Sequence, residues 1–259
     1  MKENFGNIDK SQEGNKTVSE SEFESDKERN ERKAKENKAS FFALLEKEGL
    51  PKESLKIINF AYDLSKAAHS LQYRDSGEQY FEHLRAVCLI LIDECKILDP
   101  EMIIAGLHHD AIEDTAIFGD RSIPFSEWKE TAEFRLGIVS NPITANMVIT
   151  LTKPKADGVE IKDDKEAHDI YINNLKKTKD LRIILIKMAD RLHNLRTLLG
   201  TAPEKQRRVV KETEEVYFPL FESAEKKYPK EVTYLMNEMR LAISVLDIDN
   251  EVSTLKEAA

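Results

Sequence analysis

Apolar residues recur at helical spacing along most of the chain from residue 39 onward, whereas the alternation of apolar and polar residues that marks a strand is rare. Asp99-Pro100-Glu101 predicts a helix start, with an N-cap followed by proline, and Thr201-Ala202-Pro203-Glu204 has the spacing of a capping box at another. The pattern therefore predicts an all-α fold. Further helices are expected over 39–49, 53–70, 80–96, 163–178, 180–199 and 229–246.

Two stretches depart from this pattern. Residues 1–38 are rich in Ser, Asn, Lys and Glu with few branched aliphatic residues, which predicts a disordered charged tail before a folded domain over 39–259. Within the tail, residues 27–38 are good helix formers without an apolar stripe, so a solvated helix or coil is expected there. Residues 117–141 contain several Gly and Pro, which predicts a turn-rich region interrupted by a short helix around Trp128.

Charge and composition exclude several classes of function. The 259 residues include 39 Lys and Arg against 48 Asp and Glu, a net charge of −9, which argues against general binding to nucleic acid or an anionic membrane. No stretch approaches the ~18 apolar residues that span a bilayer, and the N-terminus lacks the apolar core of a signal peptide. A cytoplasmic protein is expected. Cys88 and Cys95 lie in an apolar run and are predicted to be buried, reduced thiols.

The run HHDAIEDT carries the first candidate chemistry. If it continues the helix from Pro100, His109 stacks on Glu113 and Asp110 on Asp114, and one face presents an imidazole and three carboxylates. Because the preceding residues are apolar, such like charges call for a cation. An exposed His/Glu pair is an ordinary helix feature, so this run alone is a weak signal.

Two further segments strengthen the prediction of a metal site. His83 lies near the start of an otherwise apolar helix, and Asp190 lies in a strongly apolar helix with Asn194 and Thr197 on the same face. A buried Asp needs a partner, and metal ligation provides one. A mixed set of nitrogen and oxygen donors suits Mn, Fe or Zn better than Ca or Mg, and four ligands leave room for water and substrate. The candidate set is His83, His109, Asp110 and Asp190.

Several linked motifs resemble a known family. HSLQYRDSGEQYFEH at 69–83 is similar to H-x-x-Q-x-R-x-S-G-E-x-Y-x-x-H, and LHHDAIEDT at 107–115 to L-H-D-x-x-E-D-T. LTKP at 151–154, IKMADRLHNLRTL at 186–198 and KQRRVVKETEEVYFPL at 205–220 continue the match. The chain resembles the HD superfamily of metal-dependent phosphohydrolases. Within it, roughly residues 41–225 resemble the hydrolase domain of RelA/SpoT-type enzymes and the single-domain small alarmone hydrolases.

The resemblance implies an HD-domain helical bundle with one metal site in its centre, which holds one Mn²⁺ per chain through His83, His109, Asp110 and Asp190. It implies Glu113 and Asp114 as the catalytic acidic pair. It also implies binding of a small-molecule alarmone nucleotide by Arg74, Ser76, Asn194 and Thr197, with Arg74 against the guanine base. The implied reaction removes the 3′-pyrophosphate from (p)ppGpp and ends stringent-response signalling. Only about 60 residues follow the Asp190 motif, so a stand-alone small hydrolase is expected.

The chain departs from the family pattern at several positions. Asp75 stands where Lys is common, which puts the preference for guanine in question. Leu71, Gln79 and Leu84 are expected to alter loop shape alone. His108 stands where an aliphatic residue is usual, and it points about 100° away from His109, so a core or supporting role is expected.

The remaining basic and histidine residues receive minor roles. His168 and His193 are expected to be structural, and His69 to support the loop that carries Arg74. Lys153 and Lys187 are candidate phosphate neighbours outside the main set.

Two alternatives remain open at this point. One keeps the site but changes the substrate to (p)ppApp or another 3′-phosphorylated nucleotide, and Asp75 is the feature that favours it. The other is a pseudo-enzyme that binds nucleotide or a protein partner without turnover. The presence of all the expected acidic and histidine positions argues against it.

Overall fold

The computed structural model of the protein describes residues 26–75, 77–119, 125–153 and 164–257, which divide into two units between Phe41 and Phe42. Within these ranges the only β contact is an isolated bridge between Tyr73 and Gln79, so the all-α prediction is confirmed. The helices are α1 (Asp26–Lys47), α2 (Lys52–Ala68), α3 (Tyr80–Leu89), α4 (Pro100–His108), α5 (Ala111–Asp114), α6 (Phe125–Val139), α7 (Pro142–Leu151), α8 (Asp164–Lys177), α9 (Arg182–Arg196), α10 (Pro203–Glu212), α11 (Phe218–Phe221) and α12 (Pro229–Glu257). Single π-helical turns follow α3 at Ile90–Glu94 and α10 at Thr213–Tyr217, and a 3₁₀ turn follows α11 at Glu222–Ala224.

Helix α9 lies at the centre of the second unit. Ten of its fifteen residues are buried, and it packs against α3, α4, α7 and α12. A helix whose residues are buried on most sides is a core helix that other elements surround. This packing leaves Asp190 only 4% exposed, so the expectation that this carboxylate is buried is confirmed.

Helix α4 begins as its sequence predicts. Asp99 is the N-cap, and its Oδ1 accepts hydrogen bonds from the backbone N–H groups of Glu101 at 2.9 Å and Met102 at 3.2 Å. Pro100 occupies the first helical position, where its missing N–H costs nothing.

The start of α10 differs from the predicted capping box. The helix does begin at Pro203, but Ala202 is the N-cap and no side chain caps it. The Thr201 hydroxyl instead donates to the carbonyl oxygen of Leu198 at 2.8 Å, in the turn before the helix. The predicted cap is therefore wrong, because the N-cap position falls at Ala202, one residue after Thr201.

A further correction concerns the run HHDAIEDT. The predicted single helix is interrupted, since α4 ends at His108, His109 and Asp110 form a turn, and α5 begins at Ala111. The backbone of Asp110 has φ −101° and ψ −3°, outside the regular helical range. The predicted common helix face of one imidazole and three carboxylates is consequently absent from this stretch.

The two irregular stretches are partly described. Of the predicted disordered tail, residues 1–25 lie outside the described residues. Residues 26–38 belong to α1, so of the two expectations for 27–38, helix or coil, the structure has the helix. The helix around Trp128 is present as α6, longer than expected, and residues 120–124 are outside the described ranges. Helix α7 was not predicted, although the Asn141 side chain caps it by accepting from the Thr144 N–H at 2.9 Å.

Both cysteines are free; Cys88 is buried as predicted, whereas Cys95 is half-buried. None of the helices in the described part of the chain has the length and apolar character needed to cross a membrane.

Candidate active site

Three separate segments bring the predicted metal ligands together. His83 comes from α3, His109 and Asp110 from the turn between α4 and α5, and Asp190 from α9. One donor atom from each of His83, His109 and Asp110 lies within 4.8 Å of the others. Asp190 Oδ1 joins them at 3.1 Å from His83 Nε2 and 3.8 Å from His109 Nε2.

The turn after α4 explains how two consecutive residues reach one site. Neighbouring side chains on a regular helix point about 100° apart and would diverge. Because the helix is interrupted here, Asp110 Oδ2 instead lies 3.2 Å from His109 Nε2. The departure from the predicted helix is thus what assembles the His-Asp pair.

The donor set fits a divalent metal ion. His109 Nδ1 lies 2.8 Å from the carbonyl oxygen of Gly106, which only accepts, so Nδ1 carries a proton. Its Nε2 is buried, faces the carboxylates and has no hydrogen-bond partner. Two imidazole nitrogens and two carboxylate oxygens are ligand types that transition metals accept. The unpartnered Nε2 is the atom that such an ion would satisfy.

The electrostatics of the cluster also favour a cation. Burial opposes ionisation of Asp110 and Asp190, but His109 lowers the pKa of Asp110 and Lys187 lowers that of Asp190, so both carboxyl groups are ionised. Burial lowers the pKa of His109, yet the two carboxylates outweigh it and raise that pKa well above its usual value. A proton and a metal ion therefore compete for the same nitrogen.

Two neighbours on α9 fix the carboxylate of Asp190. Lys187 Nζ donates to Oδ2 at 2.7 Å, and Asn194 Nδ2 donates to Oδ1 at 2.7 Å. The interpretation of Lys187 as a phosphate neighbour missed this ion pair. The spacings i−3 and i+4 from Asp190 are the signal that could have revealed both contacts.

Asp110 also has a fixed partner that the sequence argument missed. The Tyr80 hydroxyl donates to Asp110 Oδ2 at 2.7 Å. Tyr80 precedes His83 by three residues on α3, so the same face of this helix supplies a ligand and the support of another ligand.

Three of the four predicted nucleotide-binding residues lie in contact. Arg74 Nη2 donates to Asn194 Oδ1 at 2.9 Å and to Thr197 Oγ1 at 3.1 Å. Ser76 is outside the described residues. Asn194 therefore joins the candidate nucleotide site to the candidate metal site, because its amide contacts both Arg74 and Asp190.

The loop that carries Arg74 is held by backbone hydrogen bonds. Arg74 N–H donates to the carbonyl oxygen of Glu78 at 2.9 Å, and Gly77 N–H donates to that of Arg74 at 2.8 Å. Gly77 has φ +81°, a left-handed conformation that glycine adopts without strain. His69 Nδ1 lies 2.6 Å from Gln72 Oε1, which agrees with a supporting role at the start of this loop.

Glu113 and Asp114 line the same cavity as the candidate ligands. Glu113 is half-buried, and its Oε1 accepts a hydrogen bond from the Lys153 N–H at 2.6 Å. Burial and the charge of Asp110 raise the pKa of Glu113. Asp114 is exposed and lines the cavity, so the acidic pair combines one half-buried and one exposed residue.

The cavity has a volume of about 520 Å³ and extends from the ligand cluster to Arg74. Its cationic side chains are Arg74, Lys153, Lys187, Arg191, Lys205 and Arg208, and its acidic side chains are Asp75, Asp110, Glu113, Asp114, Asp190 and Glu212. The lining is therefore formally neutral in a protein with net charge −9. The cationic side chains can contact anionic groups of a ligand there.

Asp75 makes an ion pair at this cavity. Its Oδ2 lies 2.5 Å from Lys205 Nζ on α10, and the two side chains are 71% and 41% exposed. Asp75, at the position where Lys is common, therefore pairs with the Lys205 ammonium on the cavity wall.

The other histidines divide into two groups. His108 is buried with Nδ1 2.7 Å from Ser65 Oγ, which confirms a core role, and burial lowers its pKa to about 3. His168 Nδ1 lies 3.5 Å from Oε1 of Glu212, a residue that lines the same cavity. His193, expected to be structural, has its Nδ1 2.8 Å from Nδ1 of the candidate ligand His83, a contact that the sequence did not indicate.

Comparison with known families decides the classification. Residues 61–226 match the family described as "HD domain". The chain belongs to the HD domain family. The helical HD fold with a central His/Asp cluster is in accord with this assignment.

Relatives of this HD domain are proteins named for (p)ppGpp metabolism. The chain is 40% identical over 177 residues to "Bifunctional (p)ppGpp synthase/hydrolase SpoT" of Escherichia coli (strain K12), an alignment covering 66% of this chain and 22% of that protein. It is 37% identical over 162 residues to "Guanosine-3′,5′-bis(diphosphate) 3′-pyrophosphohydrolase" of Haemophilus influenzae, covering 61% and 21%. The chain thus spans about a fifth of the length of these curated relatives.

A solved structure shares the fold of this HD domain. It belongs to a metazoan ortholog of SpoT described as hydrolysing ppGpp, and the superposition has a TM-score of 0.55 with 22% sequence identity. The match covers 74% of this chain and 97% of that chain.

Proposed function

We propose that this HD domain hydrolyses the 3′-pyrophosphate of (p)ppGpp, giving GDP or GTP and pyrophosphate, with one Mn²⁺ held by His83, His109, Asp110 and Asp190. The observation that carries the proposal is one cavity in which His83, Asp110 and Asp190 lie beside the cluster of Arg74, Asn194 and Thr197. His109 Nε2 lies 3.2 Å from Asp110 Oδ2 at this cavity. The names of the relatives support the substrate class.

The bond that breaks joins the ribose 3′ oxygen to the first phosphorus of the 3′-pyrophosphate. Water adds its hydroxyl group to that phosphorus, the bonding electron pair leaves with the ribose oxygen, and this oxygen takes up a proton. When bound, the divalent ion supplies Lewis-acid chemistry that stabilises negative charge on the phosphoryl group.

Glu113 and Asp114 align the attacking water and accept its proton. A general base works best when its pKa lies nearer the working pH than that of an ordinary carboxyl group. The half-buried position of Glu113 and its raised pKa suit this role. The hydrogen bond from the Lys153 backbone N–H holds the Glu113 carboxylate in place while Glu113 gains and loses the proton.

Arg74 binds the base of the nucleotide. A planar guanidinium can stack on a base while its edge donates hydrogen bonds. Asn194 and Thr197 accept those bonds from Nη2 and so fix the plane of the guanidinium. Ser76 is proposed as a further contact from the resemblance alone.

A second candidate substrate is (p)ppApp or another 3′-phosphorylated nucleotide. Asp75 favours it, because this exposed carboxylate follows Arg74 directly and pairs with Lys205 on the cavity wall. A different charge next to the base-binding residue can change which base is accepted.

The test is anion-exchange chromatography of ppGpp and ppApp after incubation with the purified protein, with and without Mn²⁺. The expected result is Mn²⁺-dependent release of GDP and pyrophosphate from ppGpp, absent in Asp114→Ala. Turnover of ppApp alone would assign the second substrate. Turnover of neither nucleotide would contradict the proposed activity.

A further inference from the structure

His193 contacts the candidate ligand His83 on the side that faces away from the ligand cluster. His83 Nε2 faces the carboxylates, 3.1 Å from Asp190 Oδ1 and 3.9 Å from Asp110 Oδ2. Its Nδ1 lies 2.8 Å from His193 Nδ1, with ring centroids 4.8 Å apart. His83 is 2% exposed and His193 is half-buried, so the contact is buried on the His83 side.

Two ring nitrogens at hydrogen-bond distance share one proton. A neutral imidazole carries its proton on one nitrogen and has a lone pair on the other. Nε2 of His83 can act as a metal ligand only if the proton lies on Nδ1. In that state His83 donates to His193, and His193 Nδ1 must be the acceptor.

We propose that His193 is a positioning residue that accepts the Nδ1 proton of His83 and so keeps Nε2 of His83 unprotonated and aimed at the ligand cluster. This inference rests on the proposed metal site. Ligating histidines usually donate their second ring N–H to a fixed acceptor, which sets both tautomer and orientation. For His109 the acceptor is the carbonyl oxygen of Gly106 at 2.8 Å.

The position of His193 on α9 supports the assignment. It follows Asp190 by three residues, so both side chains lie on the same face of one rigid, buried helix. This helix thereby supplies one ligand directly and orients another ligand that comes from α3. The carboxylates of Asp110 and Asp190 lie on the Nε2 side of the His83 ring, and His193 is the partner at Nδ1.

Two variants of nearly equal size separate an acceptor from simple packing. His193→Asn keeps an acceptor oxygen near the place of the imidazole Nδ1, whereas His193→Leu removes it. Mn²⁺ binding to the metal-free protein is measured by isothermal titration calorimetry without nucleotide. We expect affinity to fall about 10- to 100-fold in His193→Leu and to stay close to the wild-type value in His193→Asn. His168→Leu, which changes a histidine that pairs with Glu212 and not with a candidate ligand, is the matched control and should bind as wild type does.

Nitrogen-15 NMR of the ring nitrogens gives a readout that does not depend on the variants folding. In the wild type loaded with diamagnetic Zn²⁺, which the same donor types accept, His83 is expected to carry its proton on Nδ1. A proton absent from Nδ1 of metal-bound His83 overturns the inference, as does His193→Leu binding Mn²⁺ like wild type. If the wild type itself binds no Mn²⁺, the proposed metal site fails and this inference falls with it.

Discussion

Removing the carboxylate of Asp190 should destabilise the protein even when no metal is present. Lys187 Nζ donates to Asp190 Oδ2 at 2.7 Å, and their side chains are only 13% and 6% exposed. Removing one partner of a buried ion pair leaves an uncompensated charge, which costs about 3 to 5 kcal/mol. For a chain of this size that loss corresponds to a fall in Tm of about 6 to 20 °C.

The assay is urea unfolding of Asp190→Ala and wild type in excess chelator, followed by circular dichroism. The double variant Lys187→Met/Asp190→Ala removes both charges and should recover most of the lost stability, and Lys187→Met completes the double-mutant cycle. Glu53→Ala is the matched control, because it breaks the exposed pair with Lys56 and should change the stability by less than about 1 kcal/mol.

Two results would refute this reasoning. One is a loss below about 1 kcal/mol in Asp190→Ala, which would mean that the Lys187 charge is not buried in the way the contacts indicate. The other is a double variant no more stable than Asp190→Ala, which would trace the loss to packing or to the histidines instead.

Three further predictions concern catalysis and binding. Arg74→Ala should raise KM for ppGpp about 2- to 30-fold with little change in kcat, and Arg74→Lys should not restore it, because an ammonium cannot stack as a plane; an unchanged KM would contradict base binding by Arg74. Glu113→Gln should lower kcat by about 10²- to 10⁴-fold while the bound metal stays at the wild-type level, and loss of metal would instead make Glu113 part of the metal site. Asp75→Asn should free Lys205 for the nucleotide and lower KM, with an effect that shrinks as ionic strength rises; a salt-independent or opposite change would count against it.

The sequence predicted the all-α class because the spacing of apolar residues is a local property, and the packing of the fold buries the residues that show this spacing. Asp190 is the clearest case, since an acid among so many apolar residues had to be buried. Local patterns failed at Thr201 and at the His109-Asp110 turn, where hydrogen bonding and packing decided the backbone. In both places a helical propensity was present, and the tertiary structure determined where the helix stopped or began.

The candidate site was predictable in its ligand types and only partly in its supporting contacts. The motifs identified the side chains that converge, but they did not reveal that Tyr80 contacts Asp110 and that His193 contacts His83. Those contacts join residues 30 and 110 positions apart, so spacing along one helix carries no signal for the pairs themselves. Asn194 was predicted for nucleotide binding, and its second contact, to Asp190, emerged from the structure.

The most direct test of the account is a titration of metal-free protein with Mn²⁺ in the presence of ppGpp. Bound metal and released pyrophosphate are measured in the same samples, with Asp110→Ala in parallel. The account predicts that both quantities rise together and saturate at one Mn²⁺ per chain, while Asp110→Ala shows neither. Full pyrophosphate release without bound metal, or one bound Mn²⁺ per chain without pyrophosphate release, would contradict it.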